Sequence, residues 1–193
     1  MKTYYWIRPK SYYSGAFELK PNKPYVEVED FLYPDNNKRF PEDVVFTVKK
    51  GKRAFDLIFY YECVNHEFYS EKFIRLVSEF IDMSDKCQAL KIDNYDGEYY
   101  VLKNLPSVNR FKRCHPFYLH NDEPEIFYEE GEVPPIFILK GSYMVIVNEE
   151  VKNAIEKAKL KNIIFEKCFQ FSKEEYDAYN KYWNKIGQFI DRY

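Results

Sequence analysis

The chain has 193 residues, 46% hydrophobic and 31% charged, which suits one domain. No apolar run approaches the ~20 residues of a spanning helix, so an integral membrane protein is excluded. With 29 basic against 31 acidic residues the net charge is −2, which argues against a dedicated nucleic-acid binder.

Residues 1–41 hold Pro9, Pro21, Pro24, Pro34 and Pro41 and are expected as an irregular decoration of a main body at 42–193. Within them Tyr4–Ile7 reads as a short strand, and Phe17, Tyr25, Phe31 and Tyr33 as anchors for loops. The apolar stretch before Arg8 is too short for a secretory core, so cytoplasmic residence and reduced Cys63, Cys87, Cys114 and Cys168 are expected. Val44–Val48 is dominated by β-branched residues and predicts a strand. Lys49–Arg53 follow as a turn, and Phe55–Tyr61 as a second strand.

Ser70 offers a helix cap, with Glu71 in the first turn and Phe73, Leu76, Val77 and Phe80 on one face, so a helix is predicted near 70–83. Ala89–Asp93 and Tyr99–Leu105 read as strands around the Asp96-Gly97 turn signal. Residues 106–135 are broken by prolines. Ile136 begins an apolar run that breaks at Lys140-Gly141-Ser142 and resumes over Tyr143–Val147. Asn148 caps a helix near 148–159 on the spacing of Val151, Ala154, Ile155 and Ala158, and a final strand follows. Ser172–Glu175 forms a capping box ahead of an aromatic stripe at Tyr176, Tyr179, Trp183, Ile186 and Ile190, predicting a long C-terminal helix near 172–190. The fold class expected is α+β, a mixed, mostly antiparallel sheet with flanking helices. Phe68–Glu71 and Ile146–Glu149 echo each other, which shared helix-start chemistry accounts for.

Chemistry is sparse in this sequence. Cys114 and His115 are neighbours, and adjacency turns their side chains apart; His120 and His66 are the other imidazoles. Cys63-x-x-His66 has ligand-like spacing without a second matching pair, so no metal or other cofactor is expected. Six glycines leave little material for a nucleotide loop. Arg110, Lys112, Arg113 and His115 interleave with Phe111 and Phe117 and keep a nucleic-acid module open as an alternative. A hydrolase-type enzyme with a dispersed carboxylate site stays open too.

The acidic segment is the more distinctive feature. Asp122, Glu123, Glu125, Glu129, Glu130 and Glu132 fall within eleven residues that hold no Lys or Arg, around Ile126, Phe127 and Tyr128. Such a face suits a basic protein partner, with charge steering the encounter and aromatics supplying burial. The chain's 17 Phe can fill a core, whereas its 19 Tyr exceed what one core encloses; surplus surface Tyr points the same way, with a compositional bias towards Tyr, Lys, Asn and Ile as the alternative.

Three segments together, Phe68–Leu76, Tyr99–Leu105 followed by Val108, and Ile136–Phe137 through Asn148-Glu149-Glu150 into the helix, span about residues 56–168. In order and spacing they resemble bacterial immunity proteins of polymorphic toxin systems, the former domain-of-unknown-function group typified by myxobacterial members. That resemblance implies a non-enzymatic cytoplasmic protein whose partner is a cognate toxin. It implies no membrane, nucleic-acid or small-molecule partner. Asp122, Glu123, Glu125, Phe127, Tyr128, Glu129, Glu130 and Glu132 are then the candidate partner-binding residues.

Overall fold

The computed structural model describes residues 3–10, 15–34, 36–61, 63–108, 125–127, 133–139, 143–171 and 181; for 63–65, 125–127 and 169–171 the description is of the backbone. In chain order, β1 is Tyr4–Pro9, β2 Glu18–Pro21, α1 Tyr25–Val28, β3 Phe46–Lys50, β4 Leu57–Tyr60 and β5 Cys63–Ser70. Then come α2 Glu71–Val77, β6 Cys87–Ala89, β7 Tyr99–Leu102, β8 Ser107–Val108, β9 Glu125–Phe127 and β10 Ile136–Leu139. The last are β11 Val145–Asn148, α3 Glu149–Lys157, β12 Ile163–Lys167 and β13 Phe169–Phe171.

These strands build two mixed sheets, β3-β2-β4-β5-β7-β6 and β12-β1-β11-β10-β8, plus a β13-β9 pair. The expectation of an α+β fold around one mostly antiparallel sheet with flanking helices is therefore overturned. The described part is sheet-rich, and its α-helices have only four, seven and nine residues. The physical reason lies in runs such as Leu57–Tyr60 and Ile136–Leu139, which are buried at every position. Strands covered on both faces consume apolar surface that flanking helices would otherwise bury. The stripe at 172–190 lies outside the described residues except for Lys181.

The two large sheets share one plan. In the first, β2 lies parallel beside β4, a β4–β5 hairpin runs into α2, and β7 sits between β5 and the edge strand β6. In the second, β8 lies parallel beside β10, a β10–β11 hairpin runs into α3, and β12 is the edge. The place of β7 is taken by β1, from the other end of the chain, between β11 and β12. The echo at Ser70 and Asn148 thus extends through five strands and a helix. The segment 1–41 gives β1 to one sheet and β2 to the other.

Strand alternation sorts the core. Ile7, Ile136, Ile138, Val145 and Val147 of one sheet and Leu57, Tyr69 and Leu102 of the other meet α2 and α3 through Phe73, Val77, Val151 and Ile155. The opposite face of the six-stranded sheet (Leu19, Phe46, Ile58, Phe68, Val101) is covered by Val28, Leu32, Phe40 and Val44. On the remaining face Tyr4, Phe137, Leu139, Ile146 and Cys168 cluster.

Both helix starts are chemically local. Ser70 Oγ accepts from Phe73 N at 3.2 Å and Asn148 Oδ1 from Val151 N at 2.9 Å, each satisfying one of the first free N–H groups. A carboxylate then joins the units these helices belong to. Asp56 accepts from Ser70 Oγ at 2.7 Å through one oxygen and from Lys161 N at 2.6 Å through the other. Beside it Asn162, at φ 66°, donates its amide to Leu57 O at 2.8 Å. Asn tolerates that left-handed conformation better than most residues.

Candidate functional site

Of the expected partner-binding residues, the structure describes the backbone of Glu125 and Phe127. Asp122, Glu123, Tyr128, Glu129, Glu130 and Glu132 lie outside the described residues, as do Arg110, Lys112, Arg113, Cys114, His115 and His120. Glu125–Phe127 form β9, in parallel register with β13: Phe169 lies opposite Glu125, Gln170 opposite Ile126 and Phe171 opposite Phe127. β13 follows directly on Cys168, which is buried and whose N–H donates to Tyr4 O at 2.9 Å. The centre of the acidic segment is therefore strand-paired to a chain anchored on β1. Burial pushes the Cys168 thiol up to about 12, out of the range of a reactive thiolate.

The basic group at Lys49–Arg53 closes β3 and begins the return to β4. Lys50 pairs with Glu18 at 3.2 Å, while Lys52 N and Arg53 N both donate to Gly15 O, at 2.9 and 3.1 Å. A Cβ on Gly51, whose φ is 87°, would stand 1.9 Å from Ala16 O. The turn is shaped by backbone contact with residues 15–17, which accounts for its glycine and for charges left at its exposed tip.

Cys63 and His66 both belong to β5, whose pairing with β4 shifts register between Glu67 and Cys63. Among the described residues no three His, Cys, Asp or Glu come together to hold a metal. His66 is instead enclosed by tyrosines. Its Nε2 stands 3.0 Å from Tyr25 Oη, and the Tyr143 ring meets it edge-on at 4.4 Å. Tyr33 stacks on Tyr143 at 4.6 Å. His66 Nδ1 has no hydrogen-bond partner among the described residues. Burial, aided by the charge of Lys103, lowers the imidazole to about 4, so the ring is neutral at physiological pH.

Glu67, the next residue of β5, takes a long bond from Tyr69 Oη at 3.5 Å. Burial raises its carboxyl to about 8, against the opposing pull of the Tyr69 bond and Arg8. Lys103 is likewise enclosed: its Nζ donates to Phe31 O and lies 5.5 Å from the Phe40 ring centre. His66, Glu67, Tyr69, Leu102 and Tyr143 line one crevice, with room for little more than a water molecule. A neutral imidazole beside a protonated carboxyl is acid–base equipment in principle, but this crevice admits no substrate. Its groups tie β5 to the β10–β11 hairpin and to residues 25–33. Sequence reasoning passed over Glu67 and Lys103 because an ionisable residue in a strand, or just past its end, gives no local sign of being enclosed.

Compared with models of protein families and with curated proteins, the chain gives no match to either. No helix among the described residues is long and apolar enough to cross a membrane.

Proposed function

We propose that the protein acts by binding another polypeptide, a toxin made by the same cell or a relative, and neutralises it in the cytoplasm. The observation that carries this reading is the acidic segment, whose eleven residues include six carboxylates and no cation. Its centre, Glu125–Phe127, runs as β9 with its backbone in register with β13. A surface of that kind raises the encounter rate with a basic partner by steering. The resemblance of residues 56–168 to immunity proteins of polymorphic toxin systems supplies the identity of the partner class. The test is co-purification. A tagged chain recovered from its native host carries a stoichiometric polypeptide encoded beside it, and co-expression relieves that polypeptide's toxicity. A purified chain that turns over a small molecule and retains no polypeptide contradicts the proposal.

A further inference from the structure

β6 is the edge strand of its sheet, and its pairing parity is fixed. Leu90 N donates to Tyr99 O and Lys103 N to Lys86 O, so Leu90, Gln88 and Lys86 turn their backbone groups toward β7. Cys87, Ala89 and Lys91 then face outward. Two of the three have a partner on that side: Cys87 O accepts from Arg39 Nη1 at 3.4 Å, and Lys91 O from Phe46 N at 2.8 Å. The N–H and C=O of Ala89 have none among the described residues.

They open on a hollow of about 310 Å³, lined by residues 40–46 on one side and 88–91 on the other. Phe40, Val44, Phe46 and Leu90 supply buried apolar surface, while Glu42 and Lys91 are exposed at the lip. The hollow is built by specific bonds at both ends. At one end the Gln88 side chain accepts from Phe40 N at 2.7 Å and donates to Phe40 O at 3.1 Å. At the other, Phe46 N donates to Lys91 O and Phe46 O accepts from Asp93 N, both at 2.8 Å. Between them the wall at 41–45 is drawn away. Val45 N donates to Asn22 Oδ1 at 3.1 Å, Val45 O accepts from Asn22 N at 2.9 Å, and Val44 N turns back to Pro41 O at 3.0 Å. With those bonds made, nothing in that wall reaches Ala89.

We infer that this hollow receives a carboxamide side chain, Gln or Asn, from the bound polypeptide, and that it pairs in two-point fashion with the N–H and C=O of Ala89. The adjacent Gln88–Phe40 pair displays the same chemistry: one amide oxygen accepting and one amide nitrogen donating to a single residue's backbone. The apolar lining takes the methylene stem. Closed ends exclude a through-running strand, so the occupant is a side chain and not an added β-strand. A carboxylate would lack the donor that Ala89 O needs, and a purely apolar group would leave both Ala89 groups unpaired. This assignment rests on the polypeptide-binding reading for the source of the amide, while the pairing chemistry stands apart from it.

Butyramide is the probe, followed by amide chemical shifts of the full-length protein. Saturable shifts at Ala89 and Leu90 are expected, absent with butyrate and absent in Ala89→Pro, which deletes the outward donor without removing a ladder bond. Val44→Phe, which fills the hollow from the opposite wall, is expected to abolish the shifts as well. It keeps the test decisive if the proline variant fails to fold. In the complex with the co-purified partner, the same variants are expected to weaken affinity about tenfold or more. No saturable shift with butyramide overturns the inference and leaves the acidic-segment reading standing. Butyramide binding together with an unchanged partner affinity overturns the assignment to a partner side chain.

Discussion

Asp56→Ala is expected to lower folding stability by about 2–4 kcal/mol, read as a fall in the urea midpoint with an unchanged slope. The residue is only partly enclosed, yet each of its oxygens accepts a bond from a different part of the molecule. Removing it leaves Lys161 N without its acceptor at the turn before β12. It also releases Ser70 Oγ, whose second bond caps α2. Hydrogen bonds to a charged group are worth roughly 1.5–3 kcal/mol each, and a lost cap about 1 kcal/mol, so solvent access at the Lys161 end sets the lower figure. Asp56→Asn leaves a single acceptor oxygen for two donors, so one of the two bonds is kept and about half the loss is expected. A loss under about 1 kcal/mol for alanine would mean that the two sheet units are not joined through this carboxylate.

The second large effect is a dependence of stability on pH. Glu67 rises from 4.5 to about 8 on folding, chiefly through burial. The folded state therefore binds more protons than the unfolded chain across that interval, and stability falls as pH rises through it. His66 moves the other way, from 6.5 to about 4, so its contribution grows as pH rises between those values. Below pH 6.5 the two oppose each other; from 6.5 to about 8 the Glu67 loss stands alone. Because Glu67 keeps some contact with solvent, the loss is on the order of 1–3 kcal/mol, below what the full shift would give. Urea midpoints of the wild type are expected to decline over that upper window, while Glu67→Gln holds level and exceeds the wild type at pH 8. His66→Phe is expected to remove the offset between pH 4.5 and 6.5, so that the Glu67 decline begins there instead of above 6.5. A wild-type profile flat from 6.5 to 8 would mean that the Glu67 carboxyl is ionised in the folded state.

Local chemistry was what the sequence disclosed best. Ser70 and Asn148 announce their helices because a cap involves residues only three apart. The first helix stops earlier than its apolar spacing predicts. Ser78 Oγ bonds back to Ile74 O at 2.8 Å, and Phe80 N and Ile81 N both turn to Val77 O, closing the chain into turns. Sheet partnership was not legible. Nothing in Tyr4–Pro9 says that it will lie between β11 and β12, some 140 residues away in sequence, because strand pairing is fixed by tertiary contact. The five prolines of residues 1–41 read as interruption, yet Pro9 and Pro21 sit at the ends of β1 and β2, where strands accept them. The buried state of Lys103 was equally silent, since its apolar neighbours resemble those of any exposed lysine on a half-covered strand. The hollow beside Ala89 depends on bonds from Asn22, Gln88 and Asp93, three residues with no relation in sequence.

The claim that the acidic segment guides a polypeptide partner is tested most directly by association kinetics with the co-purified toxin at low and high salt. Replacing Asp122, Glu123, Glu125 and Glu130 together by Ala is expected to slow association about tenfold or more at low salt and to flatten its salt dependence. Dissociation should change far less. Association rates equal to the wild type at both salt concentrations would contradict the account.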